Sequence, residues 1–349
     1  MDMPCSSLAE AIDLFPETLT QSVTIHVAPG VYSNSGREKL HDDRLVLMRR
    51  MRPAASVRIV GATAADGAVP QLSWEGGGLA MILVCEGNWS IENLQIGSGS
   101  LRQRRGVMVT RSAQVTLNDV TFRTRSHSDA AIYAERGGLA LLRGAIRINE
   151  HLHDDAPEES FAGIVATDHG VVRFAESQGA SLDIGNGSLS ASCYGCIGLG
   201  CQTARITSWG EQSNTLAINN SGRIDLRNTA TTLRAKRRRN TPIGLEHDGH
   251  ILAEDAHLVI EGENDMAIAL QKASTLTCND IELRGTFGKA IWASSGSMFV
   301  GRFLTDISDV SADTGAQVNI ERISGTIRGN VSAKRCATIA LPDRNIIGQ

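Results

Sequence analysis

Nowhere in this chain does an uninterrupted apolar run approach the roughly 18 residues that a membrane-crossing helix needs. No membrane span is therefore expected. Aromatic side chains are scarce, 4% of 349 residues, which counts against an extended neutral-sugar groove built on ring stacking. Neither sign of charge dominates: 34 Lys and Arg face 38 Asp and Glu, a formal −4. Nothing global calls for nucleic acid or an anionic membrane as partner. The start, Met1-Asp-Met-Pro-Cys-Ser-Ser7, lacks the basic and then apolar regions of a secretory signal. The expected place of synthesis is the cytoplasm, with assembly into a virus particle as another destination. Helical periodicity is nearly absent too.

The seven cysteines are an odd number. Cys85 and Cys278 lie in strand-like runs, where a thiol acts as a small apolar residue. Cys193, Cys196 and Cys201 form a C-x2-C-x4-C cluster. That spacing suits either a metal or a disulfide, but a structural metal wants four ligands and no fourth is near in sequence. Stacked small residues in a tight coil are the other reading. No cofactor and no metal ligand are assigned.

What is present is repetition. Val115-Thr-Leu-Asn-Asp-Val-Thr-Phe122 returns as Trp89-Ser-Ile-Glu-Asn-Leu-Gln-Ile96 and as Leu276-Thr-Cys-Asn-Asp-Ile-Glu-Leu283. Each unit alternates apolar residues, then has a polar pair, then resumes with an apolar residue. Looser copies start at 139, 172, 204, 251, 298 and 318, which makes the steps 26, 24, 33, 32, 47, 25, 22 and 20 residues. A period of twenty-odd residues, built of short β-branched strands and broken by Gly, Asn and Asp, predicts a solenoid of coils. The fold expected is all-β, a single-stranded right-handed parallel β-helix over 23–349. A helical cap over 1–22 is expected to precede it. Ser7-Leu-Ala-Glu10 fits a capping box, Leu8, Ile12 and Phe15 would share one face, and Pro16 stops the helix. Coils shortening after Ile251 predict a taper, with Ala337–Pro342 as a closing strand.

Val23-Thr-Ile-His-Val-Ala-Pro-Gly-Val-Tyr32, followed by Val57-Arg-Ile-Val-Gly61, resembles the first coil of the pectin-lyase-like β-helix superfamily. That superfamily includes pectin methylesterases, polysaccharide lyases, polygalacturonases and phage tailspikes. The resemblance implies a polysaccharide as partner, recognised or degraded. For the tailspike kind it also implies a homotrimer attached to a larger particle. The catalytic signatures of the enzyme families are missing. His153-Asp-Asp155 and Asp168-His-Gly170 occur in the wrong contexts, and after Tyr32 comes Ser-Asn-Ser where an esterase has an acidic residue. A non-catalytic structural or protein-binding solenoid and a diverged uronate-polysaccharide enzyme stay open beside the tailspike reading.

Three long steps predict long loops near 149–161, 183–194 and 219–241, emerging side by side as a groove. The first carries Glu150-His-Leu-His-Asp-Asp-Ala-Pro-Glu-Glu159. Its Asp154, Asp155, Glu158 and Glu159 are candidate acid and base groups for glycoside cleavage, which needs two carboxylates at a set separation. His151 and His153 are candidate substrate contacts. Arg234, Arg237, Arg238 and Arg239 of the third loop suit a uronate or sulfate. Solvated loops that attract each other are the structural alternative. A second candidate comes from phase: His169, Cys201 and Asp248 each lie three residues before a coil start, as a thiol nucleophile with its base would if stacked. Trp292, in Ala290-Ile-Trp-Ala293, is expected in the core at the phase of Ile164, Ile197 and Ile268.

Overall fold

The computed structural model describes the chain apart from residues 1–4, 6, 34–44, 74–79, 98–104, 124–129, 155–161, 176–177, 211–213, 344 and 348–349. It is a parallel β-helix. Each rung contributes a strand to up to three faces, and each strand pairs in parallel with its counterpart one rung away.

The first face shows why the sequence folds this way. Val57, Trp89, Val115, Ala140, Val172, Ile197, Ile224, Ile251, Leu276, Phe299, Val318 and Ile339 succeed one another in register. Every one is at most 1% exposed. The alternation of period two sends these residues inward and their neighbours to solvent. Stacking like on like then builds one continuous core that no single rung could bury alone.

Two corners are written in the backbone. After the first strand, Asn93, Asp119 and Gly144 adopt left-handed conformations on successive rungs. This is the second member of the polar pair seen in the repeat, and Asn and Asp tolerate that region better than most residues. Gly144 is needed because a Cβ there would lie 2.3 Å from the Asp119 carboxylate. Asp119 instead accepts the Ala145 N–H at 2.9 Å.

Between the third face and the next rung lies a tighter corner of two consecutive left-handed residues. Arg111-Ser112, Arg136-Gly137, Asp168-His169, Cys193-Tyr194, Asn220-Ser221, His247-Asp248 and Lys272-Ala273 occupy it in turn. The next amide closes a type I′ turn, as Gly170 N–H to Thr167 O at 2.8 Å and Gly195 N–H to Ser192 O at 2.8 Å.

The N-terminal helix runs Leu8–Asp13, with Ser7 accepting the Glu10 N–H at 3.1 Å. Leu8 and Ile12 join the core and Phe15 packs against it. At the far end Asn345–Ile347 folds back antiparallel on Thr338–Ala340. The rungs do shorten, with first-face strands starting at His250, Thr275, Met298 and Gln317.

Three expectations are corrected. Ala204 pairs with Leu182 on the second face, so the first-face residues after Val172 are Ile197 and Ile224. The intervals become 25, 27 and 27 residues, and two of the three long loops disappear. Ser188–Ala191 is a strand inside the stretch 183–194, and Arg223–Asp225 and Ala230–Ala235 are strands inside 219–241. Finally, Ile291 pairs with the inward Ile268, which turns Trp292 outward on the third face.

Candidate functional site

Asp154 of the acidic run meets the basic run over the second face, in ion pairs. Asp154 Oδ1 lies 3.5 Å from Arg234 Nη1 and 3.8 Å from Lys236 Nζ. Arg234, outward on the strand Ala230–Ala235, also donates two hydrogen bonds to Glu261 on the next rung, at 2.8 and 3.0 Å. Arg238 donates to Asp265 at 3.0 Å. Arg237 is half-buried and Arg239 exposed. Asp155, Glu158 and Glu159 lie outside the described residues.

His151 is exposed in the short turn Glu150–Leu152, but His153 is not a substrate contact. It is 5% exposed and clamps the loop to the sheet. Its Nδ1 lies 2.8 Å from Thr207 Oγ1 and its Nε2 2.5 Å from Asp183 Oδ1. Trp209 adds a bond from Nε1 to Leu152 O at 2.9 Å. The carboxylate, imidazole and hydroxyl are aligned as in a nucleophilic triad, yet Thr207 is wholly buried and no substrate atom can reach it.

The column of His169, Cys201 and Asp248 is also revised. Cys201 belongs to the core, fully buried, with its thiol pushed up to about 12 by burial. A thiol held protonated is no nucleophile. Cys196 is raised by burial as well, and Cys193 stands exposed at a corner, so the cysteine cluster is spread over core, strand and turn. Among the described residues no group of three or more His, Cys, Asp or Glu is arranged to hold a metal.

His169 and Asp248, by contrast, share one phase. Both are second residues of the tight corner, and the residues between them in that column are Tyr194 and Ser221. Backbone bonds tie these turns together: His169 N–H to Cys193 O, Tyr194 N–H to Asn220 O, Ser221 N–H to His247 O and Asp248 N–H to Lys272 O. The side chains are thus presented at the strand spacing of roughly 4.8 Å by a rigid ladder.

Tyr194 is 64% exposed, and one face of its ring is stacked on His169 at 5.2 Å and 5°. The other face looks along the column toward Ser221, whose side chain is small. The gap from Tyr194 to Asp248 is two rungs, roughly 10 Å. An open surface depression of about 470 Å³ lies here, lined by Cys193, Asn220, His247 and Lys272 besides Tyr194, Ser221 and Asp248. Ser221 Oγ donates to Asp248 Oδ2 at 3.1 Å, and Lys272 Nζ lies 2.6 Å from His247 Nε2. The slot therefore offers an aromatic plate, an amide, a hydroxyl, a carboxylate and a cation. Tyr194, Asn220, Ser221, His247 and Lys272 were missed in the sequence. Counting three residues back from Ile197 and Ile224 would have found Tyr194 and Ser221.

Among the described residues no helix is long and apolar enough to cross a membrane. No protein-family model, curated protein or solved structure matches this chain.

Proposed function

We propose that this chain is a glycan-binding β-helix and that the corner slot holds one sugar unit of an acidic polysaccharide. The observation that carries the reading is the free face of Tyr194, two rungs from Asp248 with only Ser221 between. A pyranose lays its C–H face on an aromatic ring and turns its hydroxyls outward. Here Asn220, Ser221 and Asp248 stand where those hydroxyls would point, and Lys272 with His247 supplies positive charge for a uronate. Binding is favoured over hydrolysis because cleavage takes two carboxylates flanking the bond, and Asp248 is the carboxylate among the described residues of the slot wall. The resemblance of Val23–Gly61 to the pectin-lyase-like superfamily supports a polysaccharide partner. A trimeric tailspike on a virus particle is the setting we propose from that resemblance, and light scattering of the purified chain tests the trimer.

The test is a panel of bacterial surface polysaccharides and pectins, scored for retention by the immobilised protein and for shortening by size-exclusion chromatography. One acidic glycan should bind without being shortened. Tyr194→Ala should weaken it at least about tenfold, the scale of losing one aromatic anchor. Ser221→Tyr should abolish binding by filling the slot. Tyr194 already holds a tyrosine at this backbone position, so the fold should tolerate the change. No retention on any glycan, or retention indifferent to both substitutions, overturns the reading. Shortening lost with Asp248→Asn would convert it to an enzyme.

A further inference from the structure

The stacked pair of His169 and Tyr194 has two outer faces, and the slot uses one of them. The other is the far face of His169. The two rings lie within 5° of parallel, with centroids 5.2 Å apart, close to the strand spacing of roughly 4.8 Å. They are therefore stacked along the column, and the far face of His169 looks toward the preceding rung. The residue at the same corner position there is Gly137, which has no side chain to cover the ring. A Cβ built on Gly137 would meet Ser112 Oγ at 3.2 Å and, its chain neighbours aside, no other atom within 4 Å. His169, Gly137 and Ser112 are all exposed.

The same backbone ladder that holds the slot continues here. Gly137 N–H bonds to Asp168 O and Ser112 N–H to Arg136 O, both at 3.3 Å. The order of the slot is repeated in the opposite direction: a planar ring, a small residue, then a polar group. Asp168 and Arg136 are the exposed first residues of these turns, and Arg136 Nε also lies 3.6 Å from Glu135 Oε1. A carboxylate, a guanidinium and a hydroxyl beside a bare ring face are the groups that pair sugar hydroxyls.

We infer, building on the glycan reading of the slot, that the far face of His169 seats a second sugar unit of the same glycan. The glycan then runs along the corner, parallel to the helix axis and past the exposed edges of both rings. From the Ser221 turn to the Gly137 turn, through Tyr194 and His169, the distance is three strand spacings, roughly 14 Å. A disaccharide is too short to reach from one seat to the other. A hexasaccharide spans both.

The test titrates the intact chain, by calorimetry, with a disaccharide and a hexasaccharide cut from the polysaccharide retained in the panel. The hexasaccharide should bind at least about thirtyfold more tightly, because linking the two units makes the second contact intramolecular. That exceeds the statistical gain from its extra binding frames. His169 has a φ of 62°, a conformation that Asn tolerates, so His169→Asn removes the ring and keeps the turn. It should bring the hexasaccharide's advantage down to the statistical gain. Tyr194→Ala should instead weaken both fragments. An advantage no larger than the statistical gain, or one that survives His169→Asn, overturns the second seat and leaves the first slot standing. Equal losses of both fragments in His169→Asn overturn it too, since the ring would then only prop Tyr194. If neither fragment binds, or Tyr194→Ala leaves the disaccharide unchanged, the first slot fails and the second seat falls with it.

Discussion

At the scale of single residues, two features carry separable costs. His153 satisfies the hydroxyl of Thr207, which is completely buried. His153→Ala strands that hydroxyl, and an unpaired buried polar group costs about 1–3 kcal/mol. Urea unfolding should show a loss of that size, and Thr207→Val added to His153→Ala should recover part of it by removing the orphaned group. If the double variant is no more stable than the single one, the clamp acts by packing alone. The corner glycines give a second contrast. A Cβ on Gly195 would lie 2.1 Å from Ala166 O, whereas one on Gly179 would meet nothing within 4 Å. Gly179 pays only for its φ of +73°, about 1–2 kcal/mol on changing to alanine. Gly195→Ala must push backbone apart and should cost about 1–3 kcal/mol. Matched urea midpoints that place Gly179→Ala as the worse of the two would show that backbone strain, not crowding, governs these turns.

At the scale of elements, charged hydrogen bonds within and between rungs set the acid response. Two hydrogen bonds from Arg58, at 3.0 and 2.8 Å, hold the Glu92 carboxyl below its usual range. Glu282 is lowered by Arg284, and Asp306 by the Thr326 backbone N–H. For Asp225 burial acts upward, and the bonds from Arg227 outweigh it. A carboxylate whose folded pKa lies below its unfolded value stabilises the fold above the unfolded pKa. That contribution is lost as pH falls through the folded one. Stability should therefore hold from pH 7 to about 5 and fall below about 4. Arg58→Met should lower stability at pH 7 and make the remaining fall shallower, as urea midpoints at pH 7, 5 and 3 would report. An unchanged slope would remove this pair from the account.

The same scale explains what was legible in the sequence. Alternation and the polar pairs exposed the first strand and its corner, because both have residue types attached: β-branched residues inward, Asn or Asp at the left-handed turn. The tight corner has no such signature. Arg-Ser, Cys-Tyr, His-Asp and Lys-Ala all serve there, since the demand falls on the backbone and on a small third residue such as Gly195 or Ser274. The strands Cys196–Gly198 and Arg223–Asp225 are also only three residues long, too short for alternation to stand out. The register slipped at those two rungs, which produced two loops that do not exist and put Cys201 where Tyr194 belongs.

At the scale of the whole molecule, the chain is a one-dimensional stack in which every rung touches chiefly its neighbours, so damage should stay local. Ile224 is fully buried between Ile197 and Ile251. Ile224→Ala removes buried methyl groups and should cost about 2–5 kcal/mol, depending on how far the cavity collapses. In a globular domain that loss would accelerate hydrogen exchange wherever exchange needs global unfolding. In this stack the faster amides should be confined to Cys196–Gly198, Arg223–Asp225 and the beginning of His250–Leu270. Val57–Gly61 and Gln317–Ile323 should keep their protection. The slot from Tyr194 to Lys272 spans the weakened rungs and should lose glycan affinity, because its geometry depends on turns tied across them. A uniform rise in exchange would mean that the solenoid opens as a single cooperative unit.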